Sequence, residues 1–352
     1  MSSCFKVLIS TGKLIHFTGS EIVALETAEW FQAQGHEVVL AAHTISNFFI
    51  DHFDSDFRLS TLHDLPSVFD FDFVWCQHLS MLPFFRTYEK IDKLPFIALV
   101  SLSPYEPLEK PDNYLIKYLG LPLVVNSQET ADAVVPSNQV GLRIINFKNA
   151  APSHFWSYVV QASNTLKCIA VVSNHIPEEL IESILTLQKA GIKVIVFGMG
   201  HEFRRLQAAG FSYVDAVVTI GKTVPYAIAL GIPVYMYDRF GGDGWLSLSN
   251  FDQAAHYNFS GRPNLQKKSS EIIEKEILNG FADAQQGCSL LRNKAQAAGY
   301  VLDDQLEHLF SILADEATIF DYETRFRRSR SDPEFLMHLN LTCNLTHIIY
   351  SQ

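Results

Sequence analysis

The sequence is poor in charge, and this scarcity limits the class of protein. Only 18% of its 352 residues are charged, and the formal net charge is -11. General nucleic-acid binding needs clustered lysine and arginine for phosphate contacts, so we expect no nucleic-acid partner. An acidic balance still leaves room for a local basic pocket that binds a small anion.

Cysteines are also few, and none has the spacing of a metal site. They lie at positions 4, 76, 168, 288 and 343. Their odd number, and the apolar runs around three of them, indicate buried free thiols in a reducing compartment. Neither a leader-like N-terminus nor a run of membrane-spanning length is evident. We therefore expect a cytoplasmic protein without a metal site.

Two glycine signatures of nucleotide-binding folds are missing from the first strand-to-helix turn. The stretch STGKLIHFTGSE has glycines only at positions 12 and 19, so it lacks the Gly-x-Gly-x-x-Gly pattern of nicotinamide-binding domains. It is not a P-loop either.

What the chain does contain is 48% hydrophobic residues and enough length for two packed domains.

Apolar, strand-like runs alternate with helical segments twice along the chain. In the first half a helix is expected over 19–34, with strands at 5–10, 37–42, 71–77, 96–103, 123–127 and 142–147. In the second half helices are expected over 177–190, near 201–209 and from 223, with strands at 166–173, 192–198, 215–221 and 234–238. Runs that are apolar throughout are typical of parallel strands covered on both faces. The sequence therefore predicts an α/β fold with two doubly wound domains.

The turn-rich stretch 146–156 separates the two strand-helix sets. We expect an N-terminal domain over 1–155, a second domain over 156–300, and a C-terminal helical segment and tail over 301–352. The basic run RFRRSRSDPEF (325–335) is interpreted as a solvated tail. Peripheral membrane contact through anionic lipid headgroups is the alternative.

The stretch HFTGSE, residues 16–21, opens the first expected helix and allows two compatible interpretations. Thr18 at the N-cap and Glu21 three residues later form the Thr-x-x-Glu pattern of a capping box. The same helix start follows a strand, so its free N–H groups favour an anion, and glycine lets a ligand approach the backbone. We expect the cap, and we expect Gly19 and Ser20 to line a ligand site.

Two side chains of the first half are candidates for proton transfer. The run WCQH places His78 at the end of an expected strand, where it could act as a general base or donate to a sugar hydroxyl. A ring satisfied by loop backbone is the alternative. Glu21 is the second candidate, although a carboxylate folded onto its own helix cap is not free to accept a proton. In SLSPYEPLE, Tyr105 and Glu106 could line a cleft or lie in an exposed loop.

In the second half, polar turns follow two expected strands. Asn174 and His175 of VVSNHIPEEL stand where a diphosphate could meet the next helix, and a capped turn is the alternative. Gly198 and Gly200 of FGMGHEFRRL allow a ring to lie against the backbone, or they simply form a tight turn.

The stretch TIGKTVPYAIALGIPVYMYDRFGGDGWL, residues 219–246, carries the strongest signal. Lys222 and Thr223 follow a strand and open a helix, which Thr223 can cap while Lys222 places a positive charge beside bound phosphate. Gly241 and Gly242 follow the next strand in a loop that is flexible or tightly turned. A solvated lysine and ordinary turns are the alternative. Several such loops at one sheet edge indicate a ligand site.

These stretches resemble the GT-B glycosyltransferases in order and spacing. Residues 9–42 resemble that family's N-terminal strand, glycine loop, helix and Gly-His-Glu-Val strand. NAAPSHF (149–155) is similar to its inter-domain segment, FGMGHEFRRL (197–206) to its loop beside the nucleotide base, and AIALGIPV (227–234) to its donor-domain stretch. The resemblance covers roughly residues 5–260.

The chain departs from that family at the donor-binding carboxylates. Many retaining members carry Glu-x7-Glu, whose second glutamate typically holds the donor ribose. Here the two positions are Val218 and Tyr226. Tyr226 could offer a hydroxyl or a ring instead, so donor binding must differ in detail and neither retention nor inversion carries over.

The resemblance implies two Rossmann-like domains facing each other across a cleft, with sugar transfer from a nucleotide-sugar to an acceptor hydroxyl. It implies no cofactor and no metal, and an acceptor that is a bacterial surface glycan or glycolipid. Two alternatives stay open: a non-catalytic glycosyltransferase-like protein that binds or regulates a partner, and a sugar-nucleotide epimerase. The residues expected at the donor are Gly19, Ser20, Asn174, His175, Gly198, Gly200, Lys222, Thr223, Tyr226, Gly241 and Gly242.

Overall fold

A computed structural model describes residues 4–65, 68–78, 95–110, 116, 118–134, 143–161, 163–198, 200–201, 204–313, 324–325, 327–329 and 331–351. The chain divides into two compact units, of which the first comprises residues 1–147 and 306–352 and the second residues 148–305. The division lies a little before the expected boundary at 155. The C-terminal residues join the first unit, whereas the sequence indicated a separate segment.

The first unit is built on a parallel sheet, as its apolar runs predict. Its described strands are β1 (Lys6–Leu14), β2 (Glu37–Ile45), β3 (Arg58–Thr61), β4 (Phe73–Gln77), β5 (Phe96–Ser101), β6 (Leu123–Val125) and β7 (Ile144–Asn146). They pair in parallel in the order β3-β2-β1-β4-β5-β6-β7. The strand β3 is not indicated by the sequence, because RLST contains a single large apolar residue.

Three described helices connect these strands: α1 (Gly19–Ala33), α2 (Asn47–Asp51) and α3 (Gln128–Val134). The helix α1 begins where the capping pattern predicts. It ends before Gly35, which adopts the left-handed conformation expected after a helix, with φ 84°. At the start of α3, the hydroxyl of Ser127 accepts the backbone N–H of Thr130 at 3.2 Å, so Ser127 caps this helix.

The second unit has its own sheet, with one strand that the sequence did not indicate. The strands are β8 (Cys168–Val172), β9 (Lys193–Phe197), β10 (Ala216–Thr219), β11 (Val234–Asp238) and β12 (Gly241–Trp245), in the order β12-β11-β10-β8-β9. The described pairs are parallel except β11 with β12, which is antiparallel. The α/β fold class with two doubly wound sheets is therefore confirmed.

The expectation of a loop at FGGDG was wrong, because its residues from Gly241 onwards belong to β12. Their glycines serve backbone packing. A Cβ on Gly242 would lie 2.0 Å from the carbonyl oxygen of Met236, and one on Gly241 would lie 2.2 Å from that of Gln266. The periodicity of side chains cannot indicate a strand whose residues mostly lack side chains.

The helices of the second unit are α4 (Ser153–Ser157), α5 (Glu178–Lys189), α6 (Thr223–Leu230), α7 (Phe251–His256) and α8 (Ser270–Ala297). The expected short helix near 201–209 is a 3-10 turn at Ala208–Phe211. α8 is one continuous helix that buries a stripe including Ile273, Ile277 and Phe281 against the sheet. The free thiols of Cys76, Cys168 and Cys288 are buried as expected, whereas Cys4 is exposed.

The C-terminal helices are α9 (Leu302–Leu313) and α10 (Pro333–Ser351). In α10, Phe335 is fully buried and Leu339 is nearly so, within the core that covers one face of the first sheet. The interpretation of 325–335 as a solvated tail was therefore wrong at its end, since a single buried phenylalanine outweighs the polar residues around it. No helix in the described part of the chain combines the length and apolarity needed to cross a membrane.

Candidate active site

The first unit has a cavity where its strand order reverses. From β1 the chain continues to β2 on one side of β1, and it later returns to β4 on the other side. The connections after β1 and β4 therefore run in opposite directions and leave a crevice at the carboxyl ends of these two strands. A cavity of about 520 Å³ opens there. Its lining residues are Gly12, Lys13, Ile15, His16, Thr18, Ser20, Glu21, His78, Glu106, Leu108 and Glu109.

His78 follows β4 directly, and its ring is held through both nitrogens. Its φ of 56° lies in the left-handed region, where non-glycine residues are uncommon and are enriched at functional sites. The backbone N–H of Gly12 donates to Nδ1 at 3.2 Å, and the hydroxyl of the fully buried Thr11 lies 2.9 Å from the same atom. Because an amide N–H can only donate, Nδ1 is an acceptor and the proton of the neutral ring lies on Nε2.

The carboxylate of Glu109 accepts the hydrogen bond from Nε2 of His78 and can accept a further hydrogen bond. Nε2 of His78 donates to Oε1 at 3.0 Å, and the backbone N–H of Leu102 donates to Oε2 at 2.8 Å. A carboxylate has about four acceptor sites, so roughly half of those on Glu109 remain. Its side chain is 10% exposed and lines the cavity. The hydrogen bonds from the Thr11 hydroxyl to the His78 ring, and from that ring to Glu109, can orient the Glu109 carboxylate as a proton acceptor for a ligand.

Glu21 instead closes the loop that precedes α1. Its Oε1 accepts the N–H groups of Ile15 and His16 at 2.6 and 3.0 Å. Its Oε2 accepts the N–H and the hydroxyl of Thr18 at 2.8 and 2.7 Å, so the expected capping box is present. These four bonds occupy the whole acceptor capacity of the carboxylate. The geometry favours a structural role, and a catalytic role for Glu21 stays a prediction.

Glu21→Gln is expected to destabilise the protein by about 2 kcal/mol, because an amide nitrogen cannot accept the loop N–H groups that face it. The substitution also removes a negative charge from the start of α1. Denaturant unfolding measures the change, with Glu37→Gln as the control at an exposed position of β2. Equal free energies of unfolding for the two variants would contradict the structural role.

Gln77 fixes the start of α1 to the sheet. Its Nε2 donates to the carbonyl oxygen of Ser20 at 3.0 Å, and its Oε1 accepts the indole N–H of Trp75 at 2.7 Å. Ser20 lines the cavity, whereas Gly19 is not among the lining residues and a Cβ there would meet nothing within 4 Å. Ligand binding by Gly19 and Ser20 stays a prediction.

In the second unit, the residues expected to bind a donor gather at one sheet edge. The neighbouring parallel strands β9, β8 and β10 end on the same side, and the strand order reverses between β8 and β10. Turns after these strands, and the start of β12, supply Asn174, His175, Gly198, Gly200, Lys222, Thr223, Gly241 and Gly242. Their role in donor binding stays a prediction.

Lys222 and Tyr226 contact other protein groups at this edge. Lys222, and not Thr223, occupies the N-cap of α6. Its Nζ donates to the carbonyl oxygen of Ala150 at 2.6 Å and lies 5.3 Å from the centre of the Tyr226 ring. The ring of Tyr226 is buried and stacks on Phe155 at 4.3 Å. A donor that uses either side chain would have to share it with these contacts.

A buried carboxylate lies beside the same edge. Asp238 ends β11, and its Oδ1 accepts the hydroxyl of Ser173 at 3.0 Å and the N–H of Arg239 at 2.6 Å. Burial raises the pKa of Asp238, against the lowering effect of both hydrogen bonds. Gly198 lets its turn approach the backbone of Ser173, because a Cβ there would lie 2.0 Å from the carbonyl oxygen of Ser173.

The acidic and histidine side chains do not form a metal centre in the described residues. No group of three or more His, Cys, Asp or Glu side chains there is arranged to hold a metal ion. The expectation of metal-independent chemistry stays a prediction.

The sequence did not single out three polar residues of these sites, namely Thr11, Glu109 and Asp238. Thr11 lies inside an apolar strand, and Glu109 ends a proline-rich loop that contains a second glutamate. Asp238 ends a strand, as many aspartates do before a turn. The signal that could have identified them is a polar residue at the carboxyl end of an expected strand, as Asp238 is for 234–238, or directly after it, as Thr11 is for 5–10.

Comparison with known proteins shows a likeness of fold. No protein-family model matches the chain, and no curated protein matches its sequence. The structure is similar to a glycosyltransferase from Rickettsia africae ESF-5, with 10% identity, a TM-score of 0.55, and 88% of this chain and 98% of that chain covered. The glycosyltransferase SnogD from Streptomyces nogalater aligns with 11% identity, a TM-score of 0.46, and 89% and 100% of the two chains covered.

Proposed function

We propose, on the premise that this chain has the GT-B fold, that it is a glycosyltransferase. It would move a sugar from a nucleotide-sugar to an acceptor hydroxyl. Two α/β units on parallel sheets, each with polar turns at a strand-order reversal, support the proposal at the level of fold. The observation that carries it at the level of chemistry is the pair of His78 and Glu109 in the cavity of the first unit.

In the proposed reaction, Glu109 takes the proton of the acceptor hydroxyl. The acceptor oxygen forms a bond to the anomeric carbon, and the bond from that carbon to the diphosphate oxygen breaks. The nucleoside diphosphate leaves with the electron pair of that bond. His78 holds the Glu109 carboxylate through its Nε2–H, while Gly12 and Thr11 hold the other ring nitrogen.

The second unit is the proposed donor site. A leaving diphosphate needs cationic or N–H partners, and the start of α6 provides backbone N–H groups beside Lys222. Val218 and Tyr226 stand where many retaining members of the resembled family have glutamates, so the donor ribose would lack its usual carboxylate partner. Asp238 at the end of β11 is our candidate replacement, because it is a carboxylate at the same sheet edge with Oδ1 already oriented by Ser173.

A nucleotide-binding and turnover assay tests the proposed function. We expect one of UDP, GDP, ADP, TDP and CMP to raise the melting temperature, since a ligand that binds only the folded state stabilises it. We also expect the matching nucleotide-sugar to be hydrolysed slowly when water replaces the acceptor.

The outcomes separate the alternative functions. Absence of both nucleotide binding and donor hydrolysis would leave a non-catalytic glycosyltransferase-like protein. Conversion of the donor sugar without release of nucleoside diphosphate would identify an epimerase. The acceptor proposed from the family resemblance is a bacterial surface glycan or glycolipid, and an acceptor screen with the identified donor tests it.

A further inference from the structure

The charges that line the cavity of the first unit are unbalanced. Among the lining residues that the structure describes, Glu21, Glu106 and Glu109 contribute three carboxylates, and Lys13 contributes the opposing ammonium. His16 and His78 also line the cavity, and the hydrogen bond from Gly12 to Nδ1 is that of a neutral His78. This described part of the lining therefore presents a net negative potential to a ligand.

These three carboxylates differ in how much of their capacity the protein uses. Glu21 is saturated by the loop before α1, and Glu109 retains about half of its acceptor sites. Glu106 is exposed, and in the part of the chain that the structure describes its carboxylate forms no hydrogen bond or ion pair. It is the carboxylate of this cavity that a ligand can pair with directly.

The loop that carries Glu106 is held in place independently of any ligand. The hydroxyl of Ser103 accepts the backbone N–H groups of Tyr105 and Glu106 at 3.2 and 3.3 Å. The N–H of Glu109 then donates to the carbonyl oxygen of Glu106 at 3.1 Å and closes the turn. Glu106 is thus fixed one turn away from the group that we propose as the base.

We infer that the acceptor carries a positive charge near its reactive hydroxyl, as the protonated amine of an amino sugar does. The inference rests on the proposed function in one respect, namely that this cavity holds the acceptor. Glu106 would pair with the ammonium group, and Glu109 would accept the hydroxyl proton. Ile15 and Leu108 give the cavity an apolar wall, which suits an uncharged remainder of the acceptor.

Three octyl glycosides test the inference, because they share a ring and an alkyl chain and differ in charge. They are octyl 2-amino-2-deoxyglucoside, octyl glucoside and octyl glucuronide, all used below their micelle concentrations. Calorimetric titration of the full-length protein without a donor measures their affinities. We expect the amino glycoside to bind about tenfold more tightly than the neutral one, and the glucuronide to bind most weakly. The preference should shrink at about 0.5 M salt.

Glu106→Gln is the decisive variant, and Glu37→Gln is its matched control. The first removes the unpaired carboxylate of the cavity, and the second removes the same charge from an exposed site at the opposite end of β2. We expect Glu106→Gln to reduce the amine preference to about threefold or less, whereas Glu37→Gln should keep it.

Several results would overturn the inference. They are equal binding of the amino and neutral glycosides, tightest binding of the glucuronide, no binding of any of the three, or an unchanged preference in Glu106→Gln. Failure of the proposed function would show differently, because donor hydrolysis is measured without an acceptor and glycoside binding is measured without a donor.

Discussion

Glu109→Gln is expected to lower kcat for sugar transfer by about a thousand-fold and to leave KM within about threefold. Because its nitrogen cannot accept a hydrogen bond, the amide loses the bond from either His78 or Leu102, although it has nearly the shape of the carboxylate. Its oxygen is too weak a base to take the acceptor proton. Steady-state kinetics with the donor identified by the binding panel measures the effect.

His78→Ala separates the two members of the pair. The histidine has both ring nitrogens engaged, one towards Gly12 and Thr11 and the other towards Glu109. If it acts through Glu109, its removal costs about ten- to a hundred-fold in kcat, less than Glu109→Gln. A larger loss in His78→Ala than in Glu109→Gln would identify His78 as the base.

Glu37→Gln serves as the control for both catalytic variants and should keep the kcat of the wild type. Circular dichroism and melting temperature establish that each variant is folded. If Glu109→Gln keeps kcat within tenfold of the wild type, the assignment of Glu109 as the proton acceptor is wrong.

Phe335→Ala is expected to destabilise the first unit by about 3–5 kcal/mol, the usual cost of removing a buried aromatic side chain. Phe335 is fully buried, and its ring stacks on Tyr118 with 4.7 Å between the centroids. The carboxylate of Asp332 accepts the N–H of Phe335 at 3.1 Å and a hydrogen bond from the Tyr118 hydroxyl, which lowers the pKa of Asp332. The start of α10 is thus built into the core.

Met337→Ala is the matched control on the same helix, because Met337 is 61% exposed. We expect it to change the free energy of unfolding by about 0.5 kcal/mol or less. Scanning calorimetry measures both variants and separates the two units if they unfold in separate transitions. Equal stability of the two variants would contradict the burial of α10 in the core.

Where the sequence pattern is local, it predicted the structure well. The apolar runs identify β1, β2 and β4 because a strand that is buried on both faces must be apolar along its length. Thr18 and Glu21 identify the start of α1, since a capping box needs only the residues of one turn. The same reasoning fails at β12, where glycine packing leaves no side-chain pattern.

The candidate site was only half predictable, because some of its contacts join residues that are far apart in the sequence. His78 stands out at the end of a strand, but its partner Glu109 lies 31 residues later. Glu106 and Glu109 look alike in sequence, and one is exposed while the other is nearly buried. The sheet order sets this difference, because β4 and β5 bring their carboxyl ends side by side.

The sequence by itself thus determined the α/β class, the order of most strands and helices, and the cap at Thr18 and Glu21. These depend on hydrogen bonds and burial within a few residues. Only the tertiary structure decided that Glu109 receives the hydrogen bond from His78, and that Phe335 belongs to the core of the first unit. Both contacts depend on where a distant segment lies in the folded chain, and local patterns carry no information on that.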